Sequence, residues 1–173
     1  MRGEERRNYI LSLLKDAKEP VKGGELSNRL KVSRQVIVQD IALLRAEGAD
    51  IISTPQGYLL LQNAKNTVRR IIAVKHEEKD IEDELKTIVC MGGKVLDVTI
   101  EHKIYGEITG RLMLKSMYDV DEFMEKLKSN KSKPLSYLTD GVHIHTIEAD
   151  NEEIMDRIID VLKLKGYIIP SEV

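Results

Sequence analysis

Residues 20–61 read PVKGGELSNRLKVSRQVIVQDIALLRAEGADIISTPQGYLLL, and the spacing of apolar and polar residues in this stretch decides the fold. Ser33 is an N-cap residue type and Arg34 follows it, so a helix starts there. At about 100° per residue, Ile37, Ile41 and Leu44 share one face at i, i+4 and i+7 and build a core. Gln35, Gln39 and Ala42 fall opposite, with Arg34 and Arg45 on the flank. Ahead of this helix, Gly23-Gly24 introduces a shorter one over Glu25–Leu30, and Pro20 marks the loop before it. Lys31-Val32-Ser33 is the turn between them, with Val32 pointing inward. Behind it, Gly48 is a C-cap, and Asp50–Thr54 and Gly57–Leu61 read as two strands around Pro55-Gln56. Further upstream, Glu4 to Ala17 carries Ile10, Leu11, Leu13 and Leu14 on one side, a first helix ending near Lys18.

A short helix, a tight turn, a longer helix with an exposed polar face and a hairpin make the pattern of a winged helix-turn-helix. The polar face is short enough to enter a major groove, where glutamine amides pair bidentately with adenine and arginines serve guanine or phosphate. Arg34, Gln35 and Gln39 are the candidates for base contacts. Lys31, Ser33, Arg45 and, in the wing, Gln56 with Thr54 are placed to meet phosphate. Tyr58 reads as wing packing. The alternative is a small helical bundle with a solvated glutamine face. The order of elements and the run VSRQVIVQDIALLRAEG resemble the module found in many bacterial regulators and at the front of biotin-ligase repressors. That resemblance implies double-stranded operator DNA as a partner.

At 173 residues and 42% hydrophobic content, the chain holds one domain or two small ones. No apolar run approaches the roughly 20 residues that span a bilayer, and no signal-peptide pattern is seen. A cytoplasmic protein with no membrane partner is expected. Cys90 is the single cysteine, which excludes an intrachain disulfide and suits a reducing compartment. Its apolar setting, IVCMGG, reads as a buried, inert thiol. The net charge of −2 argues against nucleic acid only until the chain is divided. Residues 1–62 hold ten Lys/Arg against eight Asp/Glu, or +2, and the other 111 hold 17 against 21, or −4. So modest a positive balance makes DNA affinity depend on where charges sit and on two copies binding together.

The polar stretch QNAKN, Gln62–Asn66, separates a DNA-binding domain over 1–62 from a second domain over 66–173. In the second, Val68–Lys75 reads as a strand, Glu78–Cys90 as a helix, and Lys94–Glu101 and Tyr105–Leu114 as strands. Asp119-Val120-Asp121 starts a helix through Lys128, with acidic residues at its positive end. Leu135–Leu138 and Val142–Ala149 flank Asp140-Gly141, a hairpin dipeptide. Asn151 or Asp150 caps a last helix through Leu164, ended by Gly166. The order β-α-β-β-α-β-β-α implies an α+β fold, a two-layer α/β sandwich with a mostly antiparallel sheet. One sheet face stays free for a ligand or a partner subunit.

All four histidines lie in this second domain. His143 and His145 in GVHIHT are two apart on a strand, so both imidazoles point to one face, within reach of one ion. His76 ends the first strand, and Glu84 lies about two turns into the next helix. If that helix packs over the sheet, Glu84 returns towards the imidazoles. Three nitrogens and one carboxylate suit a divalent transition ion such as zinc, nickel or iron rather than magnesium or calcium. The plain alternative is half-exposed sheet surface with a solvated glutamate.

His76 in VKH, His102 in VTIEHKIYGEI and the GVHIHT run resemble the three-histidine domain. Joined to the N-terminal module, they resemble the niacin-responsive repressors of bacterial NAD metabolism, from Arg6 to about Tyr167. The resemblance implies a homodimeric repressor of NAD-synthesis or niacin-uptake genes with nicotinic acid as co-repressor. It also implies one metal ion per subunit on His76, Glu84, His143 and His145. His102 matches the remaining histidine, although Lys103 stands where proline is expected in many relatives. His102 or Arg111 is a candidate partner for the carboxylate of nicotinate, with nicotinamide the other candidate effector. Three alternatives compete. A metal-dependent hydrolase would use His102 as base, but no H-E-x-x-H, Gly-rich phosphate loop or G-x-S-x-G is present. A biotin-responsive repressor needs a longer second half with a Gly-Arg-rich loop. An amino-acid sensor has no need of three imidazoles.

Overall fold

A computed structural model describes residues 2–61 and 67–170. They gather into two compact units, one within Met1–Ala64 and one within Lys65–Val173. The expected boundary at Gln62–Asn66 lies outside the described residues. The first unit runs α1 (Gly3–Asp16), α2 (Gly23–Leu30), α3 (Arg34–Ala46), β1 (Ile51–Thr54) and β2 (Gly57–Leu60). Ile10 and Leu14 of α1, Leu26 of α2, Ile37, Ile41 and Leu44 of α3 and Ile51 of β1 form its core. Each such side chain contributes about 1.5–3 kcal/mol on burial, which fixes the roll of α3 and forces its polar face outward. Ser33 caps α3, its Oγ accepting from Val36 N at 3.3 Å.

Two features lock α3 and the wing in place. Asp40, on the core side of α3 and 2% exposed, takes the Arg6 guanidinium of α1 at 2.6 and 3.2 Å. The wing pairs antiparallel, Ile51 opposite Leu60 and Thr54 opposite Gly57. It is pressed against the segment before α2, where Val21 and Tyr58 exchange backbone hydrogen bonds at 2.8 Å each. Gly57 has φ +144°, and a Cβ there would overlap the Val21 carbonyl, so the wing closes here only on glycine. Tyr58 packs against the core, as its wing-packing reading expects.

The second unit runs β3 (Val68–Lys75), a 3-10 turn (Glu78–Asp80), α4 (Ile81–Cys90), β4 (Lys94–His102) and β5 (Gly106–Leu114). It continues through α5 (Met117–Ser129), a 3-10 segment (Leu135–Thr139), β6 (Val142–Ala149) and α6 (Glu152–Leu164). The sheet order is β3-β6-β4-β5, every neighbour antiparallel. Ile81, Leu85 and Ile88 of α4, Val120 of α5, and Met155, Ile158 and Leu162 of α6 pack on Ile72, Val74, Leu112, Leu114 and Ile147 of the sheet. All three helices therefore cover one face. The other face exposes Ile71 and Ile144. After α6 the chain returns along the β3 edge, with Lys75 N donating to Tyr167 O and Ile169 N to Ala73 O.

Three expectations need correction. Leu135–Leu138 is not a strand: after Pro134 the chain winds into the 3-10 segment, closed by Asp140 in the left-handed region at φ 52°. Asp140-Gly141 therefore stops that segment and does not turn a hairpin. Cys90, the last residue of α4, is exposed because it falls off the Ile81–Leu85–Ile88 stripe. A smaller shift concerns α5, which begins at Met117 because Ser116 and Asp119 form a reciprocal capping box.

Candidate metal centre and nucleic-acid face

The pleat of β6 turns His143 and His145 to the helix-covered face, opposite Val74 and Ile72 of β3. His76 follows directly on β3, and Glu84 sits in the first turn of α4, which packs over that face. All four expected ligands meet. Oε2 of Glu84 lies 2.6 Å from His76 Nε2, 3.6 Å from His143 Nε2 and 3.5 Å from His145 Nε2. Donor atoms of His76, Glu84 and His143 lie within 4.8 Å of one another, a spacing that could hold one ion. The four side chains are 0–4% exposed.

The hydrogen bonds around the rings set the proton positions. His76 Nδ1 meets Glu77 O at 2.9 Å, His143 Nδ1 meets Gly141 O at 2.9 Å, and His145 Nδ1 meets Asp97 O at 2.6 Å. A carbonyl only accepts, so each neutral ring carries its proton on Nδ1 and turns an Nε2 lone pair towards Glu84. Three lone pairs and a carboxylate facing one buried point require a cation among them. Oε1 of Glu84 is also buried and, among the described residues, without a hydrogen-bond partner. The donor set fits a transition ion.

Electrostatics agree with this geometry. Burial pushes the His76 and His145 pKa values down, but the hydrogen bond and charge of Glu84 outweigh it and the net direction is up. Burial likewise pushes Glu84 up, while the charge of His145 and hydrogen bonds from all three imidazoles hold it well below the usual carboxylate range.

Neighbouring residues tie the cluster to the fold. Gly141 has φ +87°, and a Cβ there would overlap His76 O, so the approach to β6 rests directly on the backbone of His76. The Tyr167 ring stands edge-on to His76 at 5.1 Å, and its hydroxyl donates to Asp83 at 2.7 Å. Neither Gly141 nor Tyr167 carries a spacing signal in sequence. Arg111 lies on the helix-free face and reaches the cluster only through Asp97, 3.4 Å away, whose carbonyl holds His145. His102 is not brought to the cluster. It ends β4 in the hairpin turn, where its Nδ1 accepts from the backbone N–H groups of Ile104 and Tyr105 at 3.2 and 3.3 Å.

In the first unit, Arg34, Gln35 and Gln39 project from the exposed side of α3, and Lys31 and Ser33 are exposed at its entry. Val38 lies beside them and is 58% exposed. Sequence reasoning passed over it because a valine in a periodic helix reads as core; an apolar group there suits a thymine methyl. Two expected phosphate contacts are placed differently. Arg45 is exposed, but its guanidinium is spent on Ile51 O at 2.6 Å and Ser53 Oγ at 3.1 Å, joining α3 to the wing. Gln56 is only 7% exposed and, among the described residues, its side-chain amide has no hydrogen-bond partner. That placement withdraws Gln56 from the phosphate-facing set.

The comparisons agree with this two-part architecture. Residues 6–59 match the HTH domain family, and residues 69–171 match the 3H domain family. The probable transcription repressor NiaR of Thermotoga maritima is 47% identical over 166 residues, covering 96% of this chain and 94% of that protein. The transcription repressor NadR of Bacillus subtilis is 42% identical over 170 residues, again covering 96% and 94%. Both are named as repressors and not as enzymes. Among the described residues no helix is long and apolar enough to cross a membrane. A DNA-binding helix-turn-helix joined to a 3H domain, with such relatives over nearly its full length, places this chain in the NiaR/NadR family of transcription repressors.

Proposed function

We propose that the protein is a cytoplasmic, homodimeric repressor of NAD-synthesis or niacin-uptake genes, with nicotinic acid as co-repressor and one divalent transition ion per subunit. The ion is held by His76, Glu84, His143 and His145. The observation that carries this reading is the convergence of three Nε2 lone pairs and a buried carboxylate on one point, with each Nδ1 already engaged by a carbonyl. When bound, the ion supplies a fixed positive cross-link between β3, α4 and β6. The residues hold that arrangement: Glu84 balances charge, and Gly141, Glu77 and Asp97 orient the rings.

Operator contact is assigned to Arg34, Gln35 and Gln39 at bases and to Lys31 and Ser33 at phosphate. The bare sheet face, with Ile71 72% exposed, supports subunit pairing. For repression to respond, the effector must bind one dimer arrangement better than another. The output is the spacing of two α3 helices, which must match half-sites about 34–36 Å apart. The test is calorimetric titration of nicotinic acid into the purified protein before and after metal is stripped with a chelator. Binding lost on chelation establishes a metal-linked niacin sensor. Binding that survives makes the cluster purely structural, and no binding in either state removes nicotinate as effector.

A further inference from the structure

We propose that Val38 is a specificity-determining residue of α3, its isopropyl group packing on the 5-methyl of an operator thymine beside the bases read by Gln35 and Gln39. The inference rests on the reading of α3 as the recognition helix and gives that helix a base that its amides do not select. Val38 is 58% exposed in the middle of a helix whose Ile37, Ile41 and Leu44 are only 1–2% exposed. Among the described residues it neither joins the core of the first unit nor packs against it.

Stability gives no reason for a valine here. At an exposed helix position alanine is the better helix former, because a β-branched side chain loses rotamer freedom against the preceding turn. The same stiffness suits contact, since the isopropyl group is already fixed before DNA arrives. Nor does Val38 belong to an apolar patch that a protein partner would cover. Leu43, the other exposed large aliphatic of α3 at 41%, lies about 140° round the helix. The neighbours of Val38 on its own face are Arg34, Gln35, Gln39 and Ala42, all exposed.

The chemistry of the major groove selects the base. Of the four bases only thymine presents an apolar group there, its 5-methyl. Cytosine presents an amino donor, and the exposed face of α3 has no carboxylate to accept from it. Asp40, the one acid of this helix, is 2% exposed and bound by Arg6 at 2.6 Å. Val38 stands three residues after Gln35, about 4.5 Å along the helix, and a base-pair step is about 3.4 Å, so the two side chains reach neighbouring base pairs. Ala42, one turn further on, is small enough for the helix to seat deeply and bring so short a side chain to a base edge.

The experiment selects a duplex from a random-sequence pool with the full-length, metal-loaded protein, nicotinate and nicotinamide both present. Each thymine of the selected duplex is then replaced singly by uracil, which removes the methyl group and nothing else, and affinities are read by gel shift. Loss of one buried methyl lowers affinity about fourfold. The expected result is that loss at one thymine position for wild type and no such preference in Val38→Ala. Gln35→Ala should bind the whole duplex more weakly and keep the uracil penalty. Comparing thymine with uracil on one variant cancels any change in its folding. A 5-methylcytosine opposite guanine at that position should also weaken wild-type binding; affinity equal to that for thymine overturns the choice of base. A uracil penalty that persists in Val38→Ala, or no penalty at any thymine, overturns the role of Val38, and a Gln35→Ala loss in the same series leaves α3 as the recognition helix. A pool in which no sequence is enriched overturns both.

Discussion

Replacing Glu84 by glutamine keeps the side chain's size and removes the negative charge on which three imidazoles converge. The carboxylate is fully buried, and its Oε2 lies 2.6–3.6 Å from the three Nε2 atoms. Structural zinc sites bind with apparent free energies of about 10–16 kcal/mol over four donors, so one donor accounts for about 2.5–4 kcal/mol. The glutamine amide oxygen remains a weak neutral donor, so the lower end applies and Kd should rise about 100-fold. Competition against a chromophoric chelator measures this directly. The same substitution removes the cause of the raised pKa values of His76 and His145. A raised folded pKa contributes stability below the unfolded value of about 6.5, and that contribution is lost as pH rises through the folded value. In chelator, the melting-temperature difference between wild type and Glu84→Gln should therefore shrink from pH 6 to pH 9. A variant with wild-type metal affinity, or a difference that grows with pH, would refute the reasoning.

Six other substitutions test the rest of the structure. Arg6→Ala leaves Asp40 buried without its cation and should destabilise the N-terminal unit by about 3 kcal/mol; a loss below about 1 kcal/mol in urea unfolding speaks against a buried pair. Gln35→Ala and Gln39→Ala should each cost about 1–3 kcal/mol on operator DNA and nothing on random DNA, while Lys31→Ala weakens both alike and lowers the salt slope by about 1; identical losses on both DNAs in gel shifts would remove the glutamines from base recognition. Gln56→Leu replaces an unpartnered buried amide and should leave stability equal or raise it by about 1 kcal/mol, with DNA affinity unchanged; a weakened gel shift would restore Gln56 to the DNA interface. Gly141→Ala forces a left-handed residue against His76 O at a cost of about 1–3 kcal/mol, and metal affinity should fall with thermal stability; an unaffected affinity would separate the two segments.

Helix α3 and the H-x-H strand were legible because both rest on local periodicity. Ile37, Ile41 and Leu44 are buried and Gln35 and Gln39 exposed as a period of about 3.6 residues demands, and His143 and His145 share a face as a period of 2 demands. The approach of Glu84 followed only once α4 was known to lie over the sheet. Leu135–Leu138 is ambiguous in sequence because a run of about four residues carries too little periodicity to distinguish strand from turn. Gln56 and Arg45 have surface chemistry in sequence, yet the fold buries one, and β1 occupies the other. Sequence alone determined which residues share a face, because backbone geometry repeats over a few residues. Tertiary structure decided which faces are covered and which distant groups converge, because that depends on how whole elements exclude water from one another.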